Sequence, residues 1–256
     1  MENAPSHRTS TPEGEMHQLD APPRREDPFD ELLHAHLAPA ADTDDEERVA
    51  RIAEEALASF RALAEVRKAV SLFGSARAGP AERWGDLTRR TSAALVDAGF
   101  AVITGGGPGL MEEANAGAAE AGGHSIGLTI QLPGQEDPNP HLSLRVPFHY
   151  FFLRKLAFVK YACAFVCVPG GFGTLDELFE ALNLKRTHRM DPFPVILVGS
   201  EYWMELRDWL EQEAVAAGTL SADDLAALEI TDDPRVVVAR IQECHDVLCR
   251  RPGVHR

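Results

Sequence analysis

Residues 162–168 are seven apolar side chains in a row, and they run without a spacer into Pro169-Gly170-Gly171-Phe172-Gly173-Thr174-Leu175-Asp176-Glu177 and then the amphipathic stretch 178–185. A short apolar run, clustered glycines and a switch to helical periodicity specify a strand buried on both faces, a tight loop and a helix N-terminus. The same grammar occurs twice more. Residues 69–73 form an apolar strand that enters Gly74-Ser75-Ala76-Arg77, followed by helical periodicity over 81–98. Residues 100–103 form another, followed by Thr104-Gly105-Gly106-Gly107-Pro108-Gly109-Leu110-Met111 and a helix to about 121. Further strands are expected at 125–130, 142–146 and 195–198, with helices at 150–160, 174–187, 202–217 and 233–249.

Strands that alternate with helices predict an α/β fold: a Rossmann-like, doubly wound parallel sheet flanked by helices, in a single domain. Ligands of such sheets bind beyond the carboxyl ends of the strands, so all three glycine loops should open on one edge. Ahead of the sheet, residues 44–68 read as a helix with acids early, Arg67-Lys68 at the end, and Ile52, Ala56, Phe60 and Leu63 on one side. Residues 1–43 are rich in Pro, Asp, Glu and His without sustained apolar pattern, and are expected to be a disordered tail. The domain proper is then 44–256.

A glycine loop between strand and helix is a phosphate site. Glycines let the backbone approach a ligand, the first N–H groups of the helix lack internal partners, and the helix dipole favours an anion. The loop 169–177 lacks the Lys-Ser/Thr ending that holds the outer phosphates and magnesium of a nucleoside triphosphate, so a monophosphate fits better. Asp176 and Glu177, placed by this reading in the first helical turn, would repel that phosphate and so serve another part of the ligand. The loop 105–109 does not fit the G-x-G-x-x-G register, and the strand 125–130 ends without a ribose-binding acid, which argues against NAD.

Between 131 and 150 runs a long connection with five prolines or glycines, Glu136, Asp137, His141 and His149, expected to pass over the binding edge. It leads into Arg154-Lys155, two adjacent cations early in a helix, where they oppose the dipole; an anionic ligand or a solvated face would account for them. The net charge of −15 excludes a nucleic-acid surface, which must be basic. No apolar run approaches the ~20 residues of a membrane span, nor is there an apolar signal core, so a cytoplasmic protein is expected. Cys163 and Cys167 lie at an even offset on the expected strand, hence on one face in the core, and with Cys244 and Cys249 they offer no zinc spacing. No metal or cofactor is expected.

These residues resemble the Lonely Guy family. Residues 169–177 match its PGGxGTxxE signature, Arg154-Lys155 its Arg-Lys pair, 105–111 its other glycine motif and Gly74-Ser75 its first-strand ending, over roughly 70–217. Members are cytokinin-activating phosphoribohydrolases, which cleave N6-substituted adenosine 5′-monophosphates to free base and ribose 5-phosphate; many carry the label lysine decarboxylase, which nothing here supports. The resemblance implies a nucleoside monophosphate as the small-molecule partner, no nucleic acid or membrane, and a homodimer or higher homo-oligomer. It implies Glu177 on the ribose and the developing oxocarbenium, and Arg154 at the leaving base or the ribose. Gly171, Gly173 and Thr174 are expected to hold the 5′-phosphate, helped by Gly106 and Gly107, with Ser75 and Gly170 also binding substrate; Lys155 compensates charge or fixes its helix, and Glu136 and Asn183 are candidates for base and ribose contacts. Phe151-Phe152-Leu153 and Asn183-Leu184 replace residues common in the family, which directs attention to AMP itself or another purine nucleotide. Two other classes share the cradle: a non-catalytic nucleotide-binding module and a molybdenum cofactor carrier.

Overall fold

The computed structural model describes residues 45–131, 137–187, 193–226 and 228–249. The expected tail, 1–43, and Glu136 lie outside them. Seven strands, β1 (Ala69–Phe73), β2 (Ala101–Thr104), β3 (Ser125–Ile130), β4 (Leu144–Phe148), β5 (Ala164–Cys167), β6 (Val195–Leu197) and β7 (Leu228–Ile230), form one sheet in the order β4-β3-β2-β1-β5-β6-β7. Every pairing is parallel. The doubly wound sheet expected from the alternation is therefore present.

The strands alternate their side chains between two cores. Phe73, Ile103, Leu128 and Phe165 enter one, covered by α1 (Asp45–Ala62), α4 (Phe151–Tyr161), α5 (Phe172–Arg186) and α6 (Ser200–Trp209). Val70, Leu72, Val102 and Val166 enter the other, covered by α2 (Ala78–Asp97), α3 (Leu110–Glu120) and α8 (Pro234–Cys249). From β1 the chain winds outward through β2, β3 and β4, then returns to place β5 on the other side of β1. The loops leaving β1 and β5 thus diverge at the topological switch point, where a crevice opens.

Several boundaries differ from the sequence reading. The edge strand β4 lies two residues later than 142–146, because Val146 and Phe148 are the buried pair; Pro147 is tolerated since an edge strand needs no donor on its outer side. α1 stops at Ala62 instead of 68. α6 starts at Ser200 and widens into a π-helical turn over Leu210–Val215. The short α7 (Ala222–Ala226) and β7 escaped the reading, being too short to show a period. Cys163 and Cys167 are both buried but belong to opposite cores, since Cys163 precedes the regular alternation of β5. No helix among the described residues is long and apolar enough to cross a membrane.

Candidate functional site

The three glycine loops are tied to one another. Ser75, after β1, donates its N–H to the Pro169 carbonyl at 3.1 Å and accepts the Leu110 N–H at 2.8 Å, so the first loop bridges the other two. Gly109 has a φ of +71°, and a Cβ there would strike the backbone of 75–77, so glycine is required for this close approach. Together the loops wall a cavity of about 720 Å³ lined by Gly74, Ser75, Gly105, Gly170, Gly171, Gly173, Thr174, Arg154 and Glu177 among others.

On its upper side lies the N-terminus of α5. The helix begins at Phe172, two residues before the expected 174, so Asp176 and Glu177 fall in its second turn and the first turn holds no acid. The positive end of the dipole is therefore unopposed. A Cβ added to Gly171 or Gly173 would meet nothing within 4 Å, although both residues line the cavity. Their lack of side chains leaves space rather than relieving a clash. Gly170 differs, because a Cβ there would strike Thr174. The buried Thr174 donates its N–H to the Gly171 carbonyl at 3.0 Å, while its hydroxyl makes no hydrogen bond among the described residues. Tyr202, on α6, donates its hydroxyl to the Gly170 carbonyl at 2.7 Å. In a trans peptide the N–H points opposite to the carbonyl, so this bond turns the Gly171 N–H away from α6.

At the floor stands Arg154. Its Nε donates to the Leu128 carbonyl at 2.7 Å and its Nη2 to the Gly105 carbonyl at 3.4 Å, and the guanidinium lies 5.3 Å from the Phe158 ring centroid. Burial pulls its pKa down to about 10 despite the nearby Glu177 carboxylate, which leaves it a cation at neutral pH. Glu177 is partly buried, and burial pushes it up to about 7 against the opposing pull of Lys155 and Arg154. No hydrogen bond or ion pair among the described residues engages its carboxylate. Lys155 instead pairs with Asp176 at 2.8 Å and Glu180 at 3.2 Å, joining α4 to α5. Burial opposes its charge, yet the Asp176 hydrogen bond and the neighbouring acids outweigh it and hold Lys155 above the usual lysine value.

Gly106, Gly107, Lys155 and Asn183 lie outside the cavity lining. Gly106 is turned inward, its N–H given to the Thr104 hydroxyl and its carbonyl taken by the Asn139 N–H; Gly107 offers its carbonyl to the Asn139 amide. Asn183 is exposed and accepts from Arg186. The described part of the long connection does not reach the lining: its Asn139 packs on the second glycine loop, and neither His141 nor His149 lines the cavity. Arg77, Trp84 and Tyr202 reach the lining unforeseen. Arg77 stood legible in the β1 loop, whereas an aromatic on an amphipathic helix carries no signal that separates core from cavity. Among the described residues no group of three or more His, Cys, Asp or Glu side chains is placed to hold a metal.

Comparison with known proteins adds to this geometry. A family model described as "Possible lysine decarboxylase" matches residues 111–241. A cytokinin riboside 5′-monophosphate phosphoribohydrolase of Rhodococcoides fascians is 28% identical over 153 residues, 58% of this chain and 76% of that one. One of Arabidopsis thaliana is 29% identical over 117 residues, 45% of this chain and about half (51%) of that one. The structure of the Moco carrier protein from Chlamydomonas reinhardtii shares the fold at a TM-score of 0.53 and 22% identity, over 71% of this chain and 99% of that one. The family match spans just over half of the sequence, and the chain belongs to that family, the Lonely Guy group that its glycine motifs resemble.

Proposed function

We propose that the protein is a nucleoside 5′-monophosphate phosphoribohydrolase, which adds water across the N-glycosidic bond of AMP or an N6-substituted AMP. The ribose C1′ gains hydroxyl, the base nitrogen gains a proton, and free base and ribose 5-phosphate leave. One observation carries this reading: an acid-free helix N-terminus with open glycines, a buried cation and an unpaired carboxylate share a single cavity. The names of the curated relatives support it.

In this reading the phosphate sits on the Gly171–Thr174 turn, held by the orphan N–H groups and the Thr174 hydroxyl. Breaking the bond builds positive charge on the ribose and negative charge on the base. Glu177 as carboxylate stabilises the first, and Arg154 the second, in a site partly screened from water. The direct test is incubation with AMP and with N6-isopentenyl-AMP, followed by chromatography of the free base. Release from either, absent in Glu177→Gln, is the expected result; tight AMP binding without release would favour a binding module.

Two further outcomes are expected. The cavity-facing hydrogen of Gly173 should be indispensable for the ligand but not for folding. Gly173→Ala is predicted to melt no lower than wild type, since an alanine meets no atom and restricts the unfolded chain by ~0.4–1 kcal/mol. Its affinity for AMP should fall about tenfold or more, as a disturbed hydrogen bond to a charged group costs ~1.5–3 kcal/mol. Unchanged affinity in calorimetry would move the phosphate elsewhere. The second outcome concerns pH: because Glu177 titrates at about 7, kcat/KM, corrected for ionisation of the phosphate, should rise with pH and level off above that value. A flat profile between pH 5.5 and 8 would exclude the carboxylate form as the active one.

A further inference from the structure

α4 carries both cations of the Arg-Lys pair but does not cap itself. Tyr150 at its N-cap makes no side-chain cap bond, the first turn holds no acid, and Arg154 and Lys155 follow at once, where positive charge opposes the dipole. The missing acid comes from α1. Glu55, 95 residues from Tyr150 in the chain, accepts the Tyr150 N–H at 3.1 Å and, through both carboxylate oxygens, the His149 N–H at 3.1 and 3.2 Å. At the far end of α4, the Tyr161 hydroxyl donates to the Phe60 carbonyl at 3.2 Å, and the Lys160 ammonium lies 5.3 Å from the Phe60 ring centroid. Beside these ties, Ile52 and Ala56 pack against the core that holds Leu153 and Ala157.

We propose that α1 is a splint for α4, and that Glu55 is a positioning residue which fixes where Arg154 and Lys155 stand relative to Glu177. α1 precedes the stretch matched by the family model, so this support comes from outside the shared motifs. The catalytic consequence rests on the phosphoribohydrolase reading; the mechanical one does not. A carboxylate supplied in this way satisfies two N–H groups and restores negative charge at a helix end that the site has loaded with cations.

The test uses the full chain with Glu55→Ala, the gentler Glu55→Gln, which keeps an acceptor, and Glu54→Ala on the exposed side of α1 as control. Glu55→Ala should lower kcat for AMP at least ~tenfold, because small misplacements of a charged group are costly in the transition state. Its affinity for AMP should stay within about twofold, since the phosphate cradle is on α5. Glu55→Gln should fall between it and wild type, and Glu54→Ala should match wild type. The midpoint of the kcat/KM pH profile should also move to higher pH. Arg154 and Lys155 hold Glu177 down while burial, Asp176 and Glu180 push it up, so cations that drift from Glu177 release it upward. A variant that is only less stable would melt earlier without moving that midpoint.

Hydrogen–deuterium exchange supplies a readout independent of turnover: amides of residues 149–155 should exchange at least ~tenfold faster in Glu55→Ala, with the sheet unchanged. If wild type released no base, faster exchange would still uphold the splint while the enzymatic reading failed alone. Unchanged exchange, or wild-type kcat with an unmoved midpoint, would overturn the proposal; should Glu55→Ala not fold, Glu55→Gln decides by the same readouts.

Discussion

Glu177→Gln should lower AMP hydrolysis by at least ~100-fold, the loss that follows removal of a main electrostatic contributor to a transition state. AMP affinity should stay nearly normal, because the proposed phosphate site is the turn before Glu177 and glutamine keeps the shape and one acceptor. The same variant should be the more stable protein at alkaline pH. Burial raises Glu177 from its ordinary 4.5 to about 7, so between those values the folded state holds a proton that the unfolded chain has released. Stability from this group is complete below about 4.5, declines as pH rises and is lost above about 7. Glutamine stays neutral throughout. Thermal melts should therefore coincide near pH 4.5 and separate by pH 8, with the variant higher. A site that stores an uncomfortable charge for chemistry shows this exchange of stability for rate. Equal melts at pH 8 would show that burial does not raise Glu177, and near-wild-type turnover would remove it from the mechanism.

Arg154→Met should abolish turnover by about 10²–10³-fold, comparable to the loss of an oxyanion-stabilising donor. Arg154→Lys should not restore it. The guanidinium reaches the carbonyls of Leu128 and Gly105 together, which a single ammonium on a flexible stem does not reproduce. The fold should survive. Methionine fills the stem's volume beside Phe158 and removes a charge that burial already disfavours, while two carbonyls lose a donor at ~1–3 kcal/mol each at most. Opposing effects of similar size leave melting within a few degrees. Loss of the cation should also let Glu177 titrate higher still, since Arg154 is one of the groups holding it down. A variant that kept a tenth of wild-type rate would place the leaving base away from Arg154.

Much of this was legible in the sequence because it depends on local chemistry. A seven-residue apolar run bounded by glycines reads as a buried strand, and glycines between such a run and a helix mark a tight turn where backbone or ligand comes close; repetition of that unit points to parallel strands. PGGFGT and Arg154-Lys155 were recognisable for the same reason, since each is a contiguous motif. What the chain does not carry locally is distance between motifs. The convergence of the three loops depends on β5 returning beside β1, a pairing between residues about 95 apart in which Val70 faces Ala164. The start of α5 at Phe172, and with it the acid-free first turn, is set by backbone bonds to the Gly171 carbonyl that no side-chain period announces. Gly106 and Gly107 belong to a motif yet turn inward, because Asn139 from a distant loop claims their carbonyls. Tyr202 on Gly170 and Glu55 on α4 left no trace in the sequence: one hydroxyl and one carboxylate on amphipathic helices look like any others until the fold brings a carbonyl or an N–H to them. Propensity and pattern determine which elements form, since they act over a few residues; which backbone groups remain free for a ligand is settled only when all other partners have been placed.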